Sequence, residues 1–230
     1  MIAFIGAMEE EITQLLDLME NVEKKKISNV DFYEGVLSNH KVVLTKSDVG
    51  KVAAAMTTTI LFENYDIDGV VNIGTAGGID PSLKVLDVII SDRVAHHDMD
   101  VSVFGWPLGF NQDKTSYKSD ENYIKIMKEI IEENDRVFIG NIATGDSFIH
   151  KEEQVDLINK NFPTTLCAEM EAAGVAQVCK NYNKPFIVIR SLSDITLSKG
   201  NELDFTTYVE IARKRSALWC KKFIEKLYAN

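Results

Sequence analysis

Several stretches of this chain put acidic residues directly after an apolar, strand-like run. The strand at 2–6 leads into Met8 and then Glu9, Glu10 and Glu11. The segment around 166–168 leads into Glu169, Met170 and Glu171, and FIVI at 186–189 leads into RSLSD, with Arg190, Ser193 and Asp194. The run at 137–143 delivers TGDSFI, residues 144–149, and the run at 69–74 delivers GTAGG, residues 74–78. In open α/β sheets, ligands bind beyond the carboxyl ends of strands, so these five stretches are the places to look for chemistry. Four of the five carry an acid. Carboxylates there can move protons at a leaving group or a water, or accept two hydrogen bonds from adjacent hydroxyls such as those of a ribose.

Each stretch also has a plainer explanation. Helical residues step by about 100°, so three consecutive glutamates cannot share a face. Glu10 points away from the apolar stripe, while Glu9 and Glu11 lie on its two flanks and are not separable by spacing. All three also offset the dipole of a helix beginning here. Glu171 flanks the stripe Ala172, Val175, Ala176 and Cys179 near a helix start and has the same plain reading. GTAGG is expected as a glycine-rich turn with Thr75 offering a hydroxyl; its spacing is wrong for G-x-G-x-x-G. Arg190 and Asp194 could form no more than an ion pair in a loop. His96 and His97 have no metal-ligand spacing with His40 or His150, so no metal and no cofactor is expected.

The elements that must position these residues alternate along the chain. Strands are predicted at 2–6, 31–37, 41–47, 69–74, 87–95, 137–143 and 185–191, and helices at 9–20, 50–64, 119–133, 151–160, 170–182 and 205–227. SNH at 38–40 joins an antiparallel hairpin, so the sheet is expected to be mixed, with helices packed on it. Residues 96–118 form the longest irregular stretch and carry Phe104, Trp106 and Phe110. Long loops with exposed aromatics commonly cover sites or partners.

The 230 residues, 45% of them hydrophobic, can bury one substantial core, and a single domain over 1–230 is expected. A formal charge of -10 argues against nucleic-acid backbones and anionic membranes as partners. The three cysteines lack paired spacing and read as reduced packing residues in a cytoplasmic setting. The N-terminus does not resemble a signal peptide, and no window is long and apolar enough to span a bilayer.

The chain resembles the 5′-methylthioadenosine/S-adenosylhomocysteine nucleosidases of the nucleoside phosphorylase fold. The resemblance rests on GAMEEE (6–11), GKVAAA (50–55), NIGTAGG (72–78), HDMDVSVFG (97–105), TGDSFI (144–149), AEMEA (168–172), RSLSD (190–194) and DF (204–205), which occur in family order. It implies a three-layer fold with a mixed, twisted central sheet flanked by helices. It also implies hydrolysis of an adenine N-glycosidic bond through an oxocarbenium-like transition state. By that resemblance Asp194 protonates adenine N7, Glu11 activates the water, and Glu171 binds the ribose 2′- and 3′-hydroxyls with Met170. Arg190 holds the Glu11 network and Ser193 orients the acid. Phe148 stacks on adenine and Ile149 reads its edge. Met8, Val49 and Phe205 line the alkylthio side. Thr75, Ala76 and Gly77 line the ribose side, with Glu169 counted among the contacting positions. Phe104 reaches the partner subunit's site, so a homodimer is implied.

Clustered negative charge stabilises a cationic sugar and disfavours a phosphate nucleophile, which favours a hydrolase over a phosphorylase. A phosphorolytic enzyme would place basic or hydroxyl groups at the first strand end, where GAMEEE offers none; a silent nucleoside-binding protein would have lost one of the three acids. Some positions depart from the common family pattern: Thr75 in place of serine, Asp48 in place of glycine, His150 after Phe148 and Ile149, and the loop FGWPLGF at 104–110. That loop is closer to a branch whose members also cleave 6-amino-6-deoxyfutalosine. The acids are intact, and the preference among the three substrates stays open.

Overall fold

The computed structural model describes residues 1–110, 115–197 and 205–229; of 205–207 and 209, only the backbone course is described. β1 (Ile2–Gly6) is apolar and buried along its whole length, because it lies between parallel neighbours on both sides. It leads into α1 (Glu9–Leu18), which is followed by β2 (Glu20–Ile27), β3 (Val30–Leu37) and β4 (His40–Lys46). Next come α2 (Lys51–Asn64), β5 (Gly69–Gly78), β6 (Val88–His96) and a single 3-10 turn at Ser102–Phe104. β7 (Tyr117–Lys118), α3 (Glu121–Glu132), β8 (Val137–Thr144), α4 (Glu152–Asn161) and β9 (Thr165–Glu169) follow, and α5 (Ala172–Asn181), β10 (Phe186–Ile195) and α6 (Phe205–Leu227) complete the chain.

The described strands form one mixed sheet in the order β10-β6-β8-β9-β5-β1-β4-β3-β2, with β7 on β6. β10 also pairs with β5 in parallel, so that end of the sheet closes on itself. Helices cover both faces. α2 and α5 bury Ala54, Leu61, Val175 and Ala176 against one face, and α1, α3 and α6 bury Ile12, Leu15, Met127, Phe223 and Ile224 against the other. The three-layer α/β architecture expected from the sequence is therefore present.

Three differences concern the site or the edge. GTAGG is not a turn: it is the carboxyl-terminal half of β5, and Gly74, Gly77 and Gly78 lack the positive φ that a turn would require. RSLSD likewise continues β10 to Ile195, with a register shift between Leu192 and Asp194. The third is β2, whose residues ENVEKKKI contain a lysine run and no alternation; seven of its eight residues are exposed at the sheet edge. Lys24 and Lys25 pair there with Asp31 and Glu34 of β3, at 2.8 and 3.0 Å. Charged edge strands of this kind discourage pairing with other chains, and they escape a search for apolar periodicity. α1 accordingly stops at Leu18, before β2 begins.

Candidate active site

β1 ends at Gly6, and the chain turns at once into α1. The free N–H groups of that turn need acceptors. Glu11 supplies one: its Oε2 accepts from Ala7 N at 2.7 Å and Met8 N at 3.1 Å, and its Oε1 from Thr75 N at 3.1 Å. Glu9 and Glu10 are exposed, whereas Glu11 is buried. Burial pushes the Glu11 pKa upward, opposed by the Arg190 charge and by these N–H groups. A carboxyl held at a raised pKa is a stronger base toward water.

Small residues on β5 make room for these acids. A Cβ on Gly74 would lie 3.0 Å from Glu11 Oε1 and 3.3 Å from Arg190 Nη1, and one on Gly77 would lie 3.3 Å from Asp194 Oδ2. That crowding, and not a turn conformation, is what glycine relieves here. Arg190 is 1% exposed. Its Nη2 donates to Glu169 Oε2 at 2.6 Å and Asn72 Oδ1 at 2.7 Å, and its Nη1 to the carbonyls of Ile189 and Asn72 at 3.1 and 3.3 Å. Its ion-pair partner is Glu169, not Glu11 or Asp194. Glu11 feels Arg190 only through space.

Glu169 is fully engaged. Besides Arg190 it accepts from the N–H groups of Glu171 and Ala172 at 3.0 and 2.8 Å and from the Thr144 hydroxyl. Its side chain is 2% exposed, so it faces the protein, not a ligand. Glu171, at the start of α5, accepts Gly50 N at 3.0 Å. Burial and the neighbouring Glu169 carboxylate raise its pKa to about 7, against the pull of Arg190 and of the Gly50 N–H. One guanidinium thus faces three carboxylates, and two of them sit where ionisation is disfavoured. A cation placed beside these carboxylates would relieve that strain.

Asp194 lies at the far end of β10. Its Oδ1 accepts the Ser193 hydroxyl at 2.7 Å, and the same hydroxyl lies 3.3 Å from the Ala76 carbonyl. A hydroxyl donates one proton and accepts on its lone pairs. Ser193 can therefore serve an ionised Asp194 as donor, or turn toward Ala76 when Asp194 carries a proton.

The remaining positions form a rim. Val49 is 54% exposed, Phe148 65% and Phe104 76%. Ile149 is buried with Val155 and Ile158 of α4, which holds the backbone beside Phe148. Met8, Thr75 and Met170 are partly buried, and Ala76 is buried. The Phe205 side chain lies outside the described residues. Among the described residues no His, Cys, Asp and Glu cluster could hold a metal ion.

Residues 1–225 match the model of the phosphorylase superfamily. The 5′-methylthioadenosine/S-adenosylhomocysteine nucleosidase of Tolumonas auensis is 41% identical over 98% of this chain and 99% of its own. The chain belongs to this nucleosidase family. The crystal structure of the nucleosidase from Neisseria meningitidis, in complex with methylthio-immucillin-A, superposes with a TM-score of 0.91 at 37% identity, covering 98% of each chain. A futalosine hydrolase mutant of Helicobacter pylori superposes at 0.88 with 29% identity, again over 98% of each chain.

Within this nucleosidase family, the departures have physical counterparts. Asp48 adopts φ 63, the left-handed conformation that glycine would enter freely; aspartate tolerates it better than most residues, and here it pairs with Lys46 at 3.0 Å. Thr75 keeps a hydroxyl 3.5 Å from Glu11 Oε1. His150 is exposed, with Nδ1 3.1 Å from the Phe148 carbonyl, so it braces the rim. The network around Arg190 is the part that sequence reasoning missed. Asn72, Thr144 and the Gly50 N–H were not singled out, and Glu169 was counted as a contact. The available signal was Arg190 itself, since a guanidinium in an apolar strand must find buried acceptors.

Proposed function

We propose that the protein hydrolyses the N-glycosidic bond of 5′-methylthioadenosine and S-adenosylhomocysteine, releasing adenine and a 5-thioribose product. The observation that carries this reading is that Glu11, Glu171 and Asp194 follow or end neighbouring strands, β1, β9 and β10, each paired with β5, with no basic group among residues 6–11 at the end of β1 to receive phosphate. Asp194 delivers a proton to N7 as the purine gains electrons. Glu11, a base of raised pKa, takes a proton from the water attacking the anomeric carbon. Glu171 accepts the ribose hydroxyls. Arg190 holds Glu169, which in turn holds the Glu171 backbone N–H, and Arg190 reaches Glu11 by its charge; neither touches substrate.

The exposed side chains complete the picture. Phe148 offers a stacking face for adenine. Val52 and Met56, one turn apart on α2, are 78% and 50% exposed, and Val103, Phe104 and Trp106 are 85%, 76% and 50% exposed. Apolar groups of this size suit a second copy of the chain, with Phe104 reaching its cleft. No described helix is long and apolar enough to cross a membrane, and the three cysteines are unpaired. The reading is of one domain, residues 1–230, acting as a cytoplasmic homodimer. The likeness to a futalosine hydrolase supports 6-amino-6-deoxyfutalosine as a third substrate.

The test is adenine release from all three compounds in phosphate-free buffer. Release from the first two is expected. Turnover that requires added phosphate, or binding of all three without release, would refute hydrolysis.

A further inference from the structure

Lys51 is the first residue of α2, where a cation meets the positive end of the helix dipole. Gly50 before it has φ 100 and no side chain, so the helix has no cap of its own. The missing acceptors come from elsewhere. Lys51 N donates to Asp146 Oδ1 at 2.8 Å, and Gly50 N donates to Glu171 Oε1 at 3.0 Å. The Lys51 ammonium crosses to Asp98 Oδ1 at 2.5 Å and lies 3.8 Å from Asp146 Oδ2. Asp146 N in turn donates to Asp98 Oδ2 at 2.8 Å. The loop after β6, the loop after β8 and the start of α2 are thereby closed into one ring of interactions. Gly174 of α5 seats the ring from below: a Cβ there would come within 2.6 Å of the Lys51 carbonyl.

We infer that Lys51, Asp98 and Asp146 form a clasp that positions the Gly50 N–H against Glu171 and so sets the orientation of the carboxylate that reads the sugar hydroxyls. In the proposed mechanism none of the three touches substrate; they act through Gly50 and are positioning residues. The Lys51 and Asp98 side chains are only 19% and 28% exposed, so the bridge is partly shielded from water, unlike an ordinary surface pair. The cation at the wrong helix end is then accounted for, because it neutralises Asp146, which accepts the first helix N–H, and Asp98, which holds the Asp146 backbone in place. The inference rests on the assignment of Glu171 to the ribose hydroxyls.

The experiment compares kcat/KM for methylthioadenosine with that for its 2′-deoxy analogue in four proteins: the parent, Glu171→Gln, Lys51→Met and Lys51→Arg. Lys51→Met is expected to lose about tenfold of the ribose-over-deoxyribose preference, mainly through KM for the ribose substrate, as the loss of one oriented charge-assisted hydrogen bond would give. Lys51→Arg is expected to restore most of it. A general loosening of the fold would lower both substrates alike and leave the ratio unchanged. If Lys51→Met keeps the parent ratio while Glu171→Gln abolishes it, the clasp is overturned and the Glu171 assignment stands. If Glu171→Gln also keeps the ratio, the ribose assignment fails and the inference with it. Should Lys51→Met not fold, Asp98→Asn is read in the same assay and by the same criteria, since it keeps an acceptor for Asp146 N while removing the charge that holds Lys51.

Discussion

Asp194→Asn should fold as the parent does and turn over methylthioadenosine about 10³-fold more slowly, within the range that general acid catalysis contributes. The substitution is nearly isosteric, and the new side chain keeps an oxygen for the Ser193 hydroxyl, which in the parent sits 2.7 Å from Asp194 Oδ1. The amide cannot deliver a proton to N7. The adenine leaving group must then depart as an anion, and that cost falls on kcat, not on binding. KM should change by less than about threefold, because the proposed ground-state contacts to adenine are those of Phe148 and Ile149. Single-turnover kinetics with a melting curve checks this. Near-parent turnover in a folded variant would remove Asp194 from the role of acid.

Glu11→Gln is expected to have an effect of similar size, about 10³-fold on turnover, by a different route. Both Glu11 oxygens accept backbone N–H groups, from Ala7 and Met8 on one side and Thr75 on the other. A glutamine must set its NH2 group against one of those donors, which costs about 1–3 kcal/mol for the unmet group. It also removes a buried charge whose ionisation burial opposes, which offsets part of that cost. Melting should therefore shift modestly while catalysis collapses. The pH profile separates the carboxylates. Glu171 is raised to about 7, so in the free protein it gains a proton as pH falls through that value, and kcat/KM should fall on the acid side from there. In Glu171→Gln this upper step should vanish, leaving a limb from Glu11 above the ordinary glutamate range. An acid limb unchanged in both variants would contradict the assignment.

The layered α/β fold was legible because its strands are apolar runs bounded by turn residues and its helices carry stripes such as Ile12, Leu15 and Leu16. β2 was not legible, since its charged residues face water on an edge and leave no periodic trace. The acids could be located from strand ends alone, but spacing left Glu9 and Glu11 equivalent. The family resemblance points to Glu11, and the close approach of Gly74 and Thr75 on β5, far away in sequence, gives the physical difference: Glu11 is buried against them while Glu9 is exposed. For the same reason the ion pair of Arg190 with Glu169 could not be read from a chain in which Asp194 is the nearer acid. Pairing across β9, β5 and β10 decides it, and pairing of that range has no local signature.

The most direct test of the hydrolytic mechanism is to run the reaction in oxygen-18 water with phosphate present and analyse the sugar. The account predicts one labelled oxygen on the anomeric carbon of every released thioribose and no sugar 1-phosphate. Accumulation of a sugar 1-phosphate free of label would contradict it, and would make the cluster of Glu11, Glu171 and Arg190 part of a phosphorylase.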